Sequence, residues 1–283
     1  MRIKTWLMDR LAKWLNKEDE VHQFGTPLTD FERMCEEIRQ GDVLLVEGRS
    51  RVSEVIKAIT YSPWTHSALY IGRLADIKDG ALQNKIAEFY AGDPNEQLLI
   101  EAMLGEGTVI YPVSKYQNKH LRICRPKGLT KSDRQQVISF ALSQLGYEYD
   151  LRHMLDLARF LLPYTFIPKR WRSTLFQHHA GQQTKNVCSC MLGEAFSSVN
   201  FPILPVAERV SKDTFKLYKR NPRLYTPKDF DYSPYFDIIK YPYLDFDDVA
   251  AYRALPWDTE GMVCNTKGDC FVPYKEEKNS QDN

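Results

Sequence analysis

The sequence predicts an α+β protein, an antiparallel sheet of about five strands packed on helices, one of which begins at Cys188. Three observations predict it. Five short apolar or alternating segments lie between residues 43 and 124, bounded by glycines and turn residues as strands are. From about residue 130 to 198 the apolar spacing turns helical. With 283 residues, 43% hydrophobic and 27% charged, the chain is ordinary for a globular protein and long enough for a large core.

Taken in order, residues 1–17 read as an amphipathic helix. Ile3, Leu7, Leu11, Trp14 and Leu15 share one face, with Arg2, Asp9, Arg10, Lys13 and Lys17 opposite. Two readings stay open: docking on its own domain, or lying in a membrane interface through its basic face and its tryptophans. Charged residues interrupt every apolar stretch here, so no signal-peptide core is present, and no run reaches the ~18–20 residues of a membrane span. We therefore expect a cytoplasmic chain, with peripheral membrane contact through residues 1–17 as the alternative. The organisation expected is an N-terminal helix and linker over 1–24, a main domain over 25–205, and a Pro- and Tyr-rich extension over 206–283 wrapped on that domain.

Within the main domain, Asp30 caps a short helix carrying Phe31, Met34 and Ile38. Gly41-Asp42 turns into the buried strand Val43–Val46. A helix over 52–61 places Val52, Val55, Ile56 and Ile59 on its inner face and stops at Ser62-Pro63. Strands follow over Ser67–Ile71, Leu98–Ala102, Thr108–Val113 and His120–Cys124, with 76–96 an inserted loop or short helix. Helices are expected over 130–145, 151–162 and 189–198. The tail beyond Phe201 reads as ordered but irregular.

The net charge of +1 supplies no reason to expect nucleic acid. The chemistry is local. In Asn186-Val187-Cys188-Ser189-Cys190-Met191 a loop enters a helix at Cys188. A sulfur there sits at the positive end of the helix dipole, which favours the thiolate, and the free N–H groups of the first turn can receive an oxyanion. A buried structural cysteine fits the local pattern equally well. His66, at the head of a strand, has the chemistry of a general base. Glu101 is the one charge in Leu98-Leu99-Ile100-Glu101-Ala102; it is either a solvent-facing residue or a carboxylate that needs a partner such as an imidazole. Cys35 and Cys124 read as buried thiols, and Cys264 and Cys270, flanking a turn, can pair when oxidised.

The order of these segments resembles the permuted branch of the NlpC/P60 superfamily, and more narrowly its YiiX/YebB-like papain-like cysteine amidases. The resemblance is carried by the Gly41-Asp42-Val43-Leu44 strand, Thr65-His66-Ser67-Ala68, the strand with Glu101 and the late Cys188-Ser189 helix. The Leu145-Gly146-Tyr147-Glu148-Tyr149-Asp150 segment is similar to that family's Gly-x-x-Tyr-Asp stretch. It covers about residues 40–200. In ordinary NlpC/P60 peptidases the Cys helix precedes the His strand; here it follows.

The resemblance implies a site with Cys188 as nucleophile, His66 as base, Glu101 as orienter and the Cys188 amide as oxyanion donor. Tyr149, Trp64 and Ser189 are its expected substrate contacts, and no metal or organic cofactor is required. The family usually shows Cys-Ser-Glu-Leu where this chain has Cys188-Ser189-Cys190-Met191. Helix geometry favours Cys188, since Cys190 projects elsewhere.

The activity implied is hydrolysis of an amide, on a cell-wall peptide or an N-acyl amino acid, with a small-molecule, peptide or lipid-linked amide as partner. Three other readings accompany it. Lipid acyl hydrolysis or transfer, as in lecithin:retinol acyltransferase-like enzymes, suits the N-terminal helix and the apolar, basic stretch 161–172. A zinc site from His178, His179, Cys188 and Cys190 has the ligands but not the usual Cys-x2–4-Cys spacing. A non-catalytic binding module retains the fold without the reaction.

Overall fold

A computed structural model of the chain describes residues 10, 13–18, 28–77, 79–147, 188–211, 214–242, 250–254, 262–266 and 269–272. Its centre is a six-stranded sheet in which every neighbouring pair is antiparallel. The strands are β1 (Val43–Glu47), β2 (His66–Arg73), β3 (Gln97–Met103), β4 (Gly107–Pro112), β5 (His120–Pro126) and β8 (Phe236–Ile239), ordered β4-β3-β2-β1-β5-β8. The sixth strand comes from the tail that the sequence reading left irregular. Two further hairpins, β6 (Val206–Arg209) with β7 (Phe215–Tyr218) and β9 (Val263–Thr266) with β10 (Asp269–Phe271), stand apart from the sheet.

Among the described residues the helices are α1 (Phe31–Glu37), α2 (Arg51–Thr60), α3 (Gly80–Phe89), α4 (Lys131–Ser143), α5 (Cys188–Ser198) and α6 (Pro227–Tyr232). Their starts follow side-chain capping. Asp30, Ser50, Asp79 and Thr130 each accept a hydrogen bond from a first-turn N–H of α1, α2, α3 and α4. The inserted segment 76–96 thus contains a capped helix. Gly41 turns the chain into β1 at φ 89°, a left-handed conformation that favours glycine, and a Cβ there would meet the Arg134 side chain. Its neighbour Asp42 is buried and held by Arg125 and by the Arg39 N–H.

The alternation of strand residues divides the core in two. On one face Val43, Leu45, Leu69, Ile71, Leu98, Ile100 and Cys124 pack with Met191, Leu192, Ala195 and Phe196 of α5. On the other, Leu44, Val46, Ala68, Tyr70, Leu99 and Ile123 pack with Met34, Ile38 and Tyr116. Phe196, Phe201, Phe230 and Phe236 pack in tilted and edge-to-face pairs at centroid distances of 5.4–6.4 Å, tying α5 to the C-terminal segment.

Two departures from the sequence reading concern apolar stripes. Of the four residues assigned to the inner face of α2, Val55 is buried, Val52 and Ile56 are half-buried and Ile59 is exposed. Helical spacing identifies the residues that share a face but not what covers it. At the N-terminus, Leu15 is wholly buried while Trp14 remains 45% exposed against the Arg51 guanidinium. Asn16 donates to the Leu104 carbonyl, and Glu18 pairs with Lys119 and bridges to Ser50. No described helix is long and apolar enough to cross a membrane.

Candidate active site

Strand periodicity puts His66 and Glu101 on the same face of neighbouring strands, the face that carries Ala68, Tyr70 and Leu99. His66 is the first residue of β2, and Glu101 lies inside β3 opposite Val109. The α5 helix packs on the opposite face. Its first residue, Cys188, meets the imidazole at the end of β2, where the sheet no longer separates the two sides.

The His66 Nε2 to Glu101 Oε2 distance is 2.5 Å. That leaves Nδ1 of the ring for the Cys188 sulfur, which is hydrogen-bonded to His66. Glu101 is wholly buried yet fully partnered, for Tyr116 donates to Oε2 at 2.5 Å and Lys115 to Oε1 at 3.0 Å. A buried carboxylate needs such partners, because an unpaired one is costly. The Lys115 ammonium also lies 3.3 Å from the centroid of the Tyr111 ring.

The electrostatics follow from this arrangement. Burial opposes the imidazolium form of His66, but the charges and hydrogen bonds of Cys188 and Glu101 override it and push its pKa up to about 10. Burial also opposes ionisation of Glu101; the His66 cation, Lys115 and the Tyr116 hydroxyl prevail and hold it down at about 2. For Cys188, burial raises the thiol. The His66 charge and hydrogen bond, with the N–H and hydroxyl of Ser67, outweigh burial and leave the pKa below its ordinary value. The Ser67 hydroxyl is wholly buried with no nitrogen or oxygen partner, so the sulfur is the group it faces.

The site opens into a cleft of about 400 Å³. Its lining includes Val52, Ile56 and Ile59 of α2, Met103 and Leu104 at the end of β3, Leu224 and Pro227 before and at the start of α6, and Asn16 and Glu18.

The sequence-predicted residues fare differently. Cys188, His66 and Glu101 come together. Ser189 lines the cleft, but its hydroxyl donates to the Tyr225 carbonyl at 2.6 Å and so anchors α5. Trp64 is not a cleft residue: it is 1% exposed, stacked near His120 and under the Arg122 guanidinium, with its indole N–H on Asp231. Nearness to His66 in sequence misleads here, because Trp64 precedes β2, where strand alternation does not set its direction, and it turns into the core on the α5 side. Tyr149, His178, His179 and the 161–172 stretch lie outside the described residues. Among the described residues no cluster of three or more His, Cys, Asp or Glu is arranged to hold a metal. Cys188 and Cys190 are both thiols, whereas Cys270, opposite Cys264 in the β9–β10 register, is disulfide-bonded.

Sequence reasoning missed Ser67, Lys115 and Tyr116. Lys115 and Tyr116 sit in a single 3₁₀ turn after β4, which has no periodicity to reveal them. The only available signal was Glu101 itself, whose burial demands more than one partner.

A six-stranded antiparallel sheet with a cysteine-headed helix laid across one face and a His–Glu pair on the other defines a papain-like architecture in permuted order. Residues 37–160 match the family described as permuted papain-like amidase enzymes, YaeF/YiiX, the C92 family of peptidases. The match spans less than half of the chain; over that part the chain is similar to the YaeF/YiiX group of permuted papain-like proteins, which supports a hydrolase of the cysteine-peptidase and amidase type. The matched segment contains His66 and Glu101 and ends before Cys188. Among solved structures, the crystal structure of the metalloprotein yiiX from Escherichia coli O157:H7 aligns with 72% of this chain and 97% of its own, at 14% identity and a TM-score of 0.43. Among curated proteins no sequence matches significantly.

Proposed function

We propose that Cys188, His66 and Glu101 form the catalytic centre of an amide hydrolase acting on an N-acyl amino acid or a peptide. The observation that carries this reading is the joint hydrogen bonding of one imidazole to the Cys188 thiol and the Glu101 carboxylate. With Nε2 held by Glu101, the ring is oriented with Nδ1 toward the sulfur, the nucleophile–base–orienter relation of cysteine and serine hydrolases.

The thiolate attacks the carbonyl carbon, and the oxyanion is received by the free N–H groups at the head of α5. The C–N bond breaks as His66 passes its proton to the leaving nitrogen, giving a thioester on Cys188. Water, losing a proton to His66, attacks the thioester, and cleavage of the C–S bond releases the acid and restores the thiolate. The Ser67 hydroxyl, facing the sulfur, stabilises the thiolate before attack.

The decisive measurement is the alkylation rate of each cysteine against pH, by mass spectrometry, in wild type and in His66→Ala. Fast labelling of Cys188 well below the ordinary thiol pKa of about 8.5, slowed by the substitution, supports the reading. Labelling of Cys188 no faster than Cys35, or indifferent to His66, removes it.

A further inference from the structure

Lys115 is a cation of the site that the proposed reaction does not use. Its ammonium donates at 3.0 Å to Glu101 Oε1, the oxygen that His66 and Tyr116 leave free, since both of those sit on Oε2. It also lies 3.3 Å from the Tyr111 ring centroid and 5.4 Å from that of Tyr116, a seat that holds a flexible side chain in one place. A neutral donor would satisfy Oε1 equally well. What Lys115 adds is charge.

The charge matters because Glu101 is wholly buried. Before attack, the Cys188 thiolate, the His66 imidazolium, the Glu101 carboxylate and the Lys115 ammonium sum to zero. After acylation the sulfur carries no charge and His66 has given its proton to the leaving nitrogen. Lys115 and Glu101 then cancel, and the sum is again zero. The other groups that face this set stay neutral: burial pushes Tyr116 up, and its hydrogen bond to Glu106 pushes Tyr111 of β4 up to about 12. Without Lys115 the acyl-enzyme would hold a buried carboxylate with no counter-charge, and the imidazole beside it would take back a proton. An imidazolium cannot accept one from water.

We infer that Lys115 is a positioning residue for deacylation: through Glu101 it keeps His66 unprotonated in the acyl-enzyme, with Nδ1 open to the attacking water. The inference rests on the Cys188–His66–Glu101 reading. In this step the water proton goes to Nδ1, the water oxygen bonds to the thioester carbon, and the C–S bond breaks with its electron pair left on sulfur. The first half of the reaction asks the opposite of His66, which must be a cation beside the thiolate. Loss of Lys115 therefore spares thiolate formation and hinders deacylation, a split that general damage to the fold does not produce.

The direct test is the titration of His66 in the full chain carrying Cys188→Ala, where position 188 is uncharged as it is in the acyl-enzyme. NMR of isotope-labelled histidine follows the ring, with the His66 signal assigned by its loss on adding His66→Ala. Adding Lys115→Met should raise the His66 pKa by about one unit or more, the usual effect of removing a charge at this range, and Lys115→Arg should restore it. Lys115→Gln, which keeps a donor for Glu101 without the charge, should behave as Lys115→Met does and serves if methionine is not tolerated. In the active chain, acetylation of Cys188 by p-nitrophenyl acetate, followed by intact mass, reads the second half alone. Lys115→Met should shift the pH at which the acetyl group is lost upward by the same amount, with loss about tenfold slower below it and Cys188 alkylation as fast as in wild type.

A His66 pKa unmoved or lowered by both Lys115→Met and Lys115→Gln overturns the inference, as does deacetylation slowed equally at every pH. The titration requires no turnover, and wild-type Cys188 alkylation separates failure here from failure of the catalytic reading.

Discussion

Cys124 and Cys188 are both buried thiols, and their surroundings do opposite things to them. Cys124 lies in the middle of β5 among Val43, Leu69 and Ala141, where burial pushes its pKa far above the ordinary thiol range. Cys188, equally removed from water, has an imidazolium beside it and a hydroxyl and N–H from Ser67, and its pKa falls instead. Burial alone makes a cysteine inert; burial beside a compensating cation makes it reactive, because the same low dielectric that penalises a lone charge strengthens a paired one.

The largest expected effect comes from removing each thiol in turn. Cys188→Ala should abolish hydrolysis of an N-acyl amino acid, a loss on the order of 10³-fold or more. Cys124→Ala should leave kcat/KM within about twofold and cost about 1 kcal/mol of stability in chemical denaturation. Equal losses of activity from both would erase the contrast.

Next in size is Glu101→Gln, which keeps the shape but removes the charge that orients and stabilises the His66 cation. kcat should fall by about 10²-fold or more with KM little changed. The pH dependence sharpens this. Because His66 is raised from about 6.5 to about 10, its contribution to stability is fully present below about 6.5 and lost as the pH rises through about 10. The contribution of Glu101, lowered to about 2, is present above about 4.5 and lost as the pH falls toward about 2. Denaturant titrations from pH 6 to 10 should show wild-type stability falling, and His66→Ala should flatten that fall. The alkaline limb of activity near pH 10 should move to lower pH in Glu101→Gln as His66 loses its anionic partner.

The smallest effect is Tyr116→Phe. It removes one of the three groups on Glu101, so kcat should drop only about threefold to tenfold, and stability by about 1 kcal/mol for one buried hydrogen bond. A loss as large as that of Glu101→Gln would mean that Tyr116, not the carboxylate, holds the ring.

The legibility of the molecule tracks how local each signal is. The first five strands were readable because each is a short apolar run between turn residues, α1 because the capping Asp30 precedes it, and α2 and α4 because their apolar residues recur at helical spacing. The β8 strand was not readable: Phe236–Ile239 is four residues long, and only its pairing with Ile123–Pro126 makes it a strand. At the site, the residue types of Cys188, His66 and Glu101 were legible, because thiol at a helix head, histidine at a strand head and one carboxylate in an apolar strand each break a local pattern. Trp64 was misplaced and Lys115 and Tyr116 were missed, since contact across the chain has no sequence period.

The sequence by itself determined the alternation of β2 and β3, the start of α5 at Cys188, and hence which side chains each element can present. Only the tertiary structure decided that α5 crosses the opposite face from His66 and meets it at the sheet end, and that Glu101 faces three partners at once. It also decided that the apolar stripe of α2 borders a cleft instead of the core. The physical reason is common to all three: periodicity identifies which residues share a face, but the layer packed against that face is chosen by chain segments tens of residues away.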